Sequence, residues 1–340
     1  MKLLSIFWHS VEPDSIRPDY RDGTNPTASN FRDHIRFLRS RFTPVSVSDF
    51  VELLRNRKSC KAYRKPPVLL GFDDGFRNVI TEALPILHEF QVPAVFFVLG
   101  EALNNSEFVP WFVEVKQLLR RAKNQNVVFE RSTIDLTSQQ DRSKLANLLM
   151  VAMSKCRSDA ERDGLLTDLA RLLGIGRVRA TDLDDDLRLI CKADLEKIAA
   201  SSLLTIASHG MTHRHLASLT RAEQLEELEQ SHVLLRKQCP SYYPVLAYPG
   251  GSFNADTLAV AKRIYKAAFG VAPGSYSNLY AYPRIGIEHC STEELAYCIS
   301  TTRVNYLLPL KRFLHFTGLQ RIATAKSLAN LRRSIMFGHS

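Results

Sequence analysis

Cysteine is scarce in this chain, and its spacing shows no pairing pattern. Only six of the 340 residues are cysteine, and no two of them form a C-x-x-C pair. In a chain of this length we interpret them as reduced and mostly buried thiols rather than as a disulfide framework. The six are Cys60, Cys156, Cys191, Cys239, Cys290 and Cys298.

Long apolar segments are also missing. No stretch has the length and apolarity needed to span a bilayer. The apolar run at residues 3–8 reaches His9 and Glu12 too soon for a signal peptide. We therefore expect a cytoplasmic protein, with peripheral contact to an anionic membrane surface as an alternative.

The chain lacks the motifs that usually accompany nucleic-acid binding, although it is strongly basic. Its net charge is +10 and its pI is about 9.4, which favours anionic surroundings such as a membrane face, a nucleic acid or an acidic glycan. Because neither an RNP motif nor a zinc finger is present, we expect no nucleic-acid partner. The rest of the composition, 45% hydrophobic and 24% charged, is typical of a globular protein with one large domain or two smaller ones.

Residues 68–99 form the stretch around which the sequence is organised. Apolar runs at 68–72 and 95–99 have the length of buried strands, and a helical stripe lies between them. Strand, helix and strand over about thirty residues predict a βαβ unit, and hence a parallel sheet with a right-handed crossover. On such sheets, ligand chemistry lies at the carboxyl ends of the strands.

Two adjacent carboxylates, Asp73 and Asp74, follow the first of these strands and precede Gly75. Asp-Gly is a turn signal by itself, so a simple turn is one explanation. A turn alone does not account for two neighbouring acids at the end of an apolar strand, because they repel each other unless a cation or a proton relieves them. We therefore treat this pair as a candidate functional site.

A histidine cluster follows a later apolar run at residues 203–207. Three of the ten histidines fall here: His209, His213 and His215. Since His209 and His213 are four residues apart, one helical turn or a tight loop can aim both rings at one point. With Asp73 or Asp74 they would form a set of two histidines and one carboxylate, which leaves coordination positions open for water and substrate. We expect His215 to point elsewhere, in a supporting or packing position.

The composition changes between the carboxylate pair and the histidine cluster. Residues 104–200 carry three helical patterns and predict a helical insertion between two parts of the main domain, at 1–103 and 201–303. Residues 304–340 are basic and amphipathic, and they predict a helical tail that packs on the main domain or lies on an anionic membrane.

Two features of the predicted insertion have a structural and a functional explanation. Trp111 and Phe112 are most simply core aromatics of an amphipathic helix, and a platform for a sugar or a lipid-linked acceptor is the alternative. The acidic run at 184–186 lacks regular ligand spacing, so we expect a solvated loop there rather than a metal site.

Three short motifs occur in a characteristic order: GFDDG at 71–75, SHGMTH at 208–213 and YPGG at 248–251. They resemble the motifs of the polysaccharide deacetylase family, also described as the NodB-homology family or carbohydrate esterase family 4. FWHSV at 7–11 resembles the segment that opens the branch acting on the exopolysaccharide poly-N-acetylglucosamine. The resemblance covers residues 1–103 and 200–300 and implies an α/β fold, a distorted (β/α) barrel.

The resemblance also implies an activity and a set of residue roles. The activity is hydrolytic N-deacetylation with one divalent metal ion, usually zinc, with Co²⁺ and Ni²⁺ as alternatives. Asp73 would be the general base, Tyr248 and Gly250 would contact the substrate, and the Gly250 N–H would be an oxyanion donor. The implied metal ligands are Asp74, His209 and His213.

The sequence departs from the family pattern in two places. The family's third motif usually begins with an Arg that orients the base, whereas Leu246 and Ala247 stand here. Arg284 is a candidate substitute, with an ordinary ion pair as the alternative. The late Leu-His motif that supplies a general acid is also not evident. His9 is the better candidate for the acid, since it ends an early strand and matches the poly-N-acetylglucosamine branch, and His289 is the alternative; a purely structural His9 stays open.

We therefore predict a metal-dependent hydrolase that removes an N-acyl group, with acetyl expected, from an amino sugar. The substrate would be a saccharide or lipid-linked saccharide of envelope or exopolysaccharide metabolism. One alternative is hydrolysis of another non-peptide C–N bond, such as a formamide or a cyclic imide or ureide. The other is an inactive saccharide-binding member, which the missing motif Arg favours and the retained Asp and His residues disfavour.

Overall fold

Seven parallel strands close into a barrel in the computed structural model, which describes residues 3–17, 25–129, 132–156, 158–272, 274–287 and 291–304. The strands in chain order are β1 (Leu4–Trp8), β2 (Thr43–Pro44), β3 (Pro67–Phe72), β4 (Ala94–Val98), β5 (Asn126–Phe129), β6 (Ser132–Asp135), β7 (Leu204–Ser208), β8 (Tyr242–Ala247), β9 (Ala267–Val271) and β10 (Tyr282–Gly286).

The closed ring runs β1-β3-β4-β7-β8-β9-β10 and returns to β1, with every pairing parallel. Strand β2 pairs only with the start of β3, and β5 and β6 form a separate antiparallel pair. Parallel strands need crossover connections, and helices lie in those that join the ring strands from β1 to β9 in chain order. The ring confirms the predicted (β/α) barrel.

The helices of the described residues surround the ring or lie in the insertion. In chain order they are α1 (Ala28–Arg41), α2 (Val47–Arg55), α3 (Leu84–Phe90), α4 (Gly100–Asn104), α5 (Trp111–Arg120), α6 (Gln139–Met153), α7 (Asp159–Leu172), α8 (Leu195–Ala199), α9 (Arg221–Gln238), α10 (Ala255–Ile264) and α11 (Thr292–Val304). A π-helical turn at Val79–Ala83 leads into α3.

Alternate residues of each strand enter two different apolar layers, because side chains of a strand point to opposite faces in turn. One cluster collects side chains contributed by the ring strands, together with residues of α2, and we identify it with the barrel interior. It includes Leu69, Phe97, Ala247, Phe269 and Tyr282. The other cluster joins the opposite faces of the strands to α1 and α3. Because side chains alternate along β3, Asp73 points to the same interior as Leu69.

The chain divides into two units, and the second is shorter than the predicted insertion. The barrel unit contains residues up to 106 and from 188, and the second unit contains 107–187 among the described residues. The sequence predicted 104–200. Residues 188–200 belong to the barrel unit, because Arg77 N–H donates to the Arg188 carbonyl at 2.8 Å, Ile190 N–H donates to the Gly75 carbonyl at 2.9 Å, and Arg77 Nε contacts Asp194 at 3.1 Å.

In the second unit, the aromatic pair Trp111 and Phe112 and the acidic run at 184–186 both contribute to the structure of the unit. Trp111 and Phe112 are buried and their rings meet edge to face at 5.7 Å, as expected of core aromatics. Arg120 binds the Asp186 carboxylate with two contacts of 2.8 Å and Asp184 with one of 3.3 Å. The acidic run therefore neutralises a largely buried guanidinium and is not a solvated loop.

Side-chain caps and strand ladders set two further element boundaries. Strand β2 ends at Pro44, and Ser46 caps α2 by accepting from the Asp49 N–H at 3.1 Å. Helix α10, which begins after Asn254, ends at Ile264, and Ala267 starts β9. Alanine has the highest intrinsic helix propensity, but tertiary contacts override propensity, and the ladder to β8 places Ala267 and Ala268 in a strand.

No helix of the described residues is long and apolar enough to cross a membrane. Cys60, Cys156 and Cys239 are buried free thiols, Cys191 is exposed and Cys298 is half-buried. Cys290, His289 and the predicted tail from 305 onward lie outside the described residues.

Candidate metal centre

The two carboxylates lie in a strained turn at the end of β3. Asp73 N–H still donates to the Trp8 carbonyl at 2.9 Å, so Asp73 continues the sheet. Asp74 has φ 72° and Gly75 has φ 88°, and the left-handed region is uncommon for a residue other than glycine. Both aspartates are buried, at 3% and 5% exposure. Such strain is typical of functional turns, where the surrounding structure fixes an unfavourable backbone.

The SHGMTH segment brings two imidazoles to Asp74. His209 is its second residue, with its N–H donating to the Val98 carbonyl at 2.9 Å, and His213 ends it in a left-handed conformation with φ 66°. Nε2 of His209 lies 3.3 Å from Asp74 Oδ1, and Nε2 of His213 lies 3.4 Å from the same oxygen. The strand ends of β3 and β7 therefore bring together three residues that the sequence singled out.

The three donors fit a divalent metal ion. The ligand atoms of Asp74, His209 and His213 all lie within 4.8 Å of one another. The edge of a tetrahedron with zinc–ligand distances of about 2.0–2.2 Å is about 3.3–3.6 Å, which matches the two oxygen–nitrogen distances of 3.3 and 3.4 Å. Asp74 Oδ1 is buried and makes no hydrogen bond within the described residues, as expected of an oxygen reserved for a cation.

A carbonyl at the end of β8 orients the His209 ring. Nδ1 of His209 lies 2.9 Å from the Ala247 carbonyl oxygen, which can only accept, so Nδ1 carries the proton. The lone pair of Nε2 therefore faces Asp74. This arrangement, in which the second ring nitrogen donates to a carbonyl, is usual for metal-binding histidines.

The electrostatic environment keeps Asp74 ionised and His213 neutral. Burial opposes the charge of Asp74, but the His209 contact and the nearby His213 and His9 together bring its pKa well below the ordinary value. Burial is also the main reason that the pKa of His213 falls to about 3, with the neighbouring histidines adding to it against the pull of Asp74. A metal ligand set needs these two protonation states.

The pKa of His209 shifts in the opposite direction from that of His213. Burial disfavours its charged form, but Asp73 and Asp74 together outweigh burial and raise the pKa of His209. The two aspartates therefore attract positive charge to this edge of the barrel, which a divalent ion would supply as well as a proton would.

Arg284 on β10 binds Asp73 through both ends of its guanidinium. Nη1 donates to Asp73 Oδ1 at 2.7 Å and Nη2 donates to Oδ2 at 2.8 Å, and Arg284 is only 1% exposed. The guanidinium lies between the rings of Phe7 and Phe97, at 4.3 and 4.9 Å from their centroids. Arg284 thus binds the carboxylate for which the sequence nominated it as a partner.

The third motif places its glycine, but not its tyrosine hydroxyl, where a substrate could reach it. The Tyr248 side chain is 1% exposed, its hydroxyl donates to the Tyr280 carbonyl at 2.7 Å, and its N–H donates to the Phe269 carbonyl at 3.0 Å. Tyr248 therefore packs the barrel wall, with its hydroxyl held by the Tyr280 carbonyl, and the predicted contact of this residue with substrate stays a prediction. Gly250, with φ 57°, lies so close to His215 that a Cβ would be 2.7 Å from its Nε2. A side chain there would collide with the histidine cluster.

His9 lies at the same edge of the barrel. It follows β1, it is half-buried, and its charge influences the pKa values of both Asp74 and His213. Its ring meets Phe7 edge to face at 5.5 Å. Of the two candidates for the acid, the structure places His9 near the metal ligands, while His289 lies outside the described residues.

Glu227 on α9 is a residue of the site that the sequence motifs did not indicate. Its carboxylate accepts from the main chain of the SHGMTH segment and is 6% exposed. A signal existed, because the polar residues Gln224, Glu227 and Ser231 fall on the same helical stripe as Leu228, and all four are buried. Polar residues at core positions of a helix usually have a specific partner.

A closed parallel barrel with a carboxylate and two histidines at its strand ends is the architecture of a barrel protein with a candidate three-residue metal site. The sequence profile described as polysaccharide deacetylase matches residues 61–155 and 176–267, which is more than half of the chain. The chain therefore belongs to the polysaccharide deacetylase family.

Individual relatives agree with this assignment. The poly-β-1,6-N-acetyl-D-glucosamine N-deacetylase of Escherichia coli K12 is 32% identical over 98 residues, which are 28% of this chain and 14% of that protein. The match thus spans a small part of the E. coli protein.

Two solved structures share the fold. The Streptococcus pyogenes deacetylase PplD in complex with acetate gives a TM-score of 0.54 at 16% identity, over 88% of this chain and 98% of that one. IcaB from Ammonifex degensii gives a TM-score of 0.52 at 13% identity, over 87% of this chain and 96% of that one.

Proposed function

We propose that this protein is a metal-dependent N-deacetylase acting on an amino sugar in a saccharide or lipid-linked saccharide. The observation that carries the proposal is the convergence, at one edge of the barrel, of the Asp74, His209 and His213 donors with the ion pair of Asp73 and Arg284. Family membership and the poly-N-acetylglucosamine deacetylase relative support the amide of an acetylated amino sugar as the bond that is cleaved.

Asp74, His209 and His213 would hold one divalent ion, for which we propose zinc. The histidine-rich donor set suits zinc, with Co²⁺ and Ni²⁺ as alternatives. When bound, such an ion polarises an acyl oxygen and lowers the pKa of water toward ~7.

Asp73 would act as the general base. Its bidentate contact with Arg284 fixes the orientation of the carboxylate, and its charge reaches His209, so it lies beside the metal ligands. A carboxylate in this position accepts the proton of the attacking water, and the Gly250 N–H would donate to the developing oxyanion. The amine that leaves requires a proton, which we assign to His9.

The proposal is tested by measuring metal content together with acetate release from N-acetylated amino-sugar oligosaccharides, before and after chelation. We expect about one zinc ion per chain and acetate release that stops on chelation and returns with zinc. His213→Ala should lose the metal and the activity together. The half-buried His232, whose Nδ1 contacts the Tyr242 hydroxyl at 2.9 Å outside the site, provides the matched control His232→Ala.

Each outcome of that experiment separates the candidate functions. A bound metal without acetate release from any acetylated amino sugar would favour another acyl group or C–N bond. Saccharide binding that survives chelation without turnover would favour an inactive binding protein. An absence of metal after reconstitution would contradict the proposed site.

Replacement of His9 by alanine tests the assignment of the acid. We expect turnover to fall by about 10²–10⁴-fold at unchanged zinc content, because the leaving amine loses its proton donor. The basic limb of the pH–rate profile should disappear with it. His289→Ala, prepared in parallel, should keep the wild-type rate; the reverse pattern would transfer the acid role to His289.

A further inference from the structure

We propose that Glu227 is the positioning residue that holds the SHGMTH segment, and with it His213, in the metal-binding conformation. The proposal rests on the proposed metal centre and adds a residue outside the family motifs. The backbone of this segment is strained. Gly210, between the two histidines, has φ 79°, and His213 itself has φ 66°, so two backbone positions of the segment are left-handed. Such a conformation costs about 1–3 kcal/mol at a residue other than glycine and persists only where the surroundings fix it.

Glu227 fixes the N–H groups of this segment. Its Oε1 accepts from Met211 N–H at 3.0 Å, from Thr212 N–H at 2.7 Å and from the Thr212 hydroxyl at 3.0 Å. The approach is tight, because a Cβ on Gly210 would lie 3.2 Å from the same oxygen. The residue that follows Thr212 is His213. The carboxylate therefore holds the two N–H groups directly before the left-handed ligand.

The carbonyls of the same segment are held from the other side. Gly100 N–H donates to the Gly210 carbonyl at 2.9 Å, and Glu101 N–H donates to the Met211 carbonyl at 3.0 Å. Contact between α4 and the segment is close, since a Cβ on Gly100 would lie 2.4 Å from Met211 Sδ. With Glu227 in place, the Met211 and Thr212 N–H groups and the Gly210 and Met211 carbonyls of the short connection between the histidines are engaged.

The helix that carries Glu227 is itself anchored to the barrel. Thr220 and Glu223 form a capping box at the start of α9. Ser231 Oγ lies 2.8 Å from Ser208 Oγ on β7. The Tyr265 hydroxyl donates to the Leu228 carbonyl at 2.9 Å and lies 2.9 Å from Ser208 Oγ. Because α9 is anchored, the Glu227 carboxylate holds the segment in a fixed position relative to the barrel. Groups that hydrogen-bond to ligands or to their backbone have this role in other metal sites.

This geometry predicts that the length of the Glu227 side chain matters more than its charge. Glu227→Gln keeps an oxygen that can accept the two N–H groups, whereas Glu227→Asp keeps the charge but withdraws it by one methylene. Glu227→Ala removes the acceptor altogether. Loss of a comparable supporting contact typically lowers metal affinity by 10–100-fold.

The test measures zinc affinity by competition with a chromogenic chelator, in variants that are folded by circular dichroism. We expect the zinc Kd to rise by about 10–100-fold in Glu227→Ala and Glu227→Asp and to change by less than about threefold in Glu227→Gln. The matched control is Gln224→Ala, which truncates another buried polar residue of α9 that donates to the Leu219 carbonyl at 3.0 Å, away from the segment. It should keep wild-type affinity even where it lowers the melting temperature.

Several results would overturn the inference. Wild-type affinity in Glu227→Ala would do so, as would equal losses in Glu227→Ala and Gln224→Ala, since the effect would then be general destabilisation. If Glu227→Ala does not fold, the order of the Asp and Gln variants decides, and tighter binding by Asp than by Gln would contradict it. A wild-type protein that binds no zinc would instead refute the proposed metal centre, so the two failures are distinguishable.

Discussion

Replacing Asp73 by asparagine should lower turnover by about 10²–10⁴-fold while leaving the metal in place. The reason is that the two aspartates of the DDG turn have different partners. Asp74 is directed at His209 and His213, whereas Asp73 is directed at Arg284 in the barrel interior. An amide keeps the shape of the side chain but cannot accept the proton of a water molecule. Zinc content by atomic absorption and kcat on an N-acetylated oligosaccharide give the two readouts.

The matched control is the neighbouring substitution Asp74→Asn, which should show the opposite signature. Here metal affinity should fall first and activity should follow, with partial recovery at high zinc concentration. If Asp73→Asn retained turnover within threefold of wild type, Asp73 would not be the base. If it lost the metal as Asp74→Asn does, the two carboxylates would act as one ligand set.

Replacing Arg284 by methionine should lower the free energy of unfolding by about 3–5 kcal/mol, because it leaves the Asp73 carboxylate buried without its partner. Arg284 is 1% exposed and Asp73 is 3% exposed, so water cannot take over the role of the guanidinium. Urea denaturation followed by circular dichroism measures the loss. Arg284→Lys should also be impaired, since an ammonium group cannot make the two parallel contacts of 2.7 and 2.8 Å.

The double variant Arg284→Met with Asp73→Asn is the decisive control for that prediction. Removing both charges leaves no unpaired ion. The double variant should therefore lose clearly less free energy of unfolding than the two single variants lose in sum. Additive losses would mean that Arg284 stabilises the barrel through its packing against Phe7 and Phe97 and not through Asp73.

The barrel and the three candidate metal donors could be predicted from the sequence, because each is marked by a local pattern of residues. The apolar runs on either side of the crossover at 68–99 correspond to β3 and β4, and each motif falls at the end of a strand. A parallel sheet brings such ends to one edge, so Asp74 and His213 could be expected to meet without knowledge of the side-chain geometry.

Contacts across the barrel were harder to predict. Arg284 could be nominated only because a motif position was empty, and its two hydrogen bonds to Asp73 depend on the register of β10 beside β1. The burial of the Tyr248 side chain could not be predicted from its motif, because it depends on the register of β8 against β9 and on the hydrogen bond to the Tyr280 carbonyl. Glu227 was missed because its partners are main-chain N–H groups, which no residue type in the sequence reveals.

The pairing of Arg284 with Asp73 also bears on the order in which the protein matures on the ribosome. The two residues are 211 positions apart, and β10 is the last strand of the ring. At translation rates of about 5–20 residues per second, Asp73 is synthesised roughly 10–40 s before its counter-charge. During that interval the nascent chain carries an acid destined for the interior with nothing to neutralise it. Closure of the ring between β10 and β1 therefore assembles the reactive centre in the same event, and a chain released before residue 284 has neither.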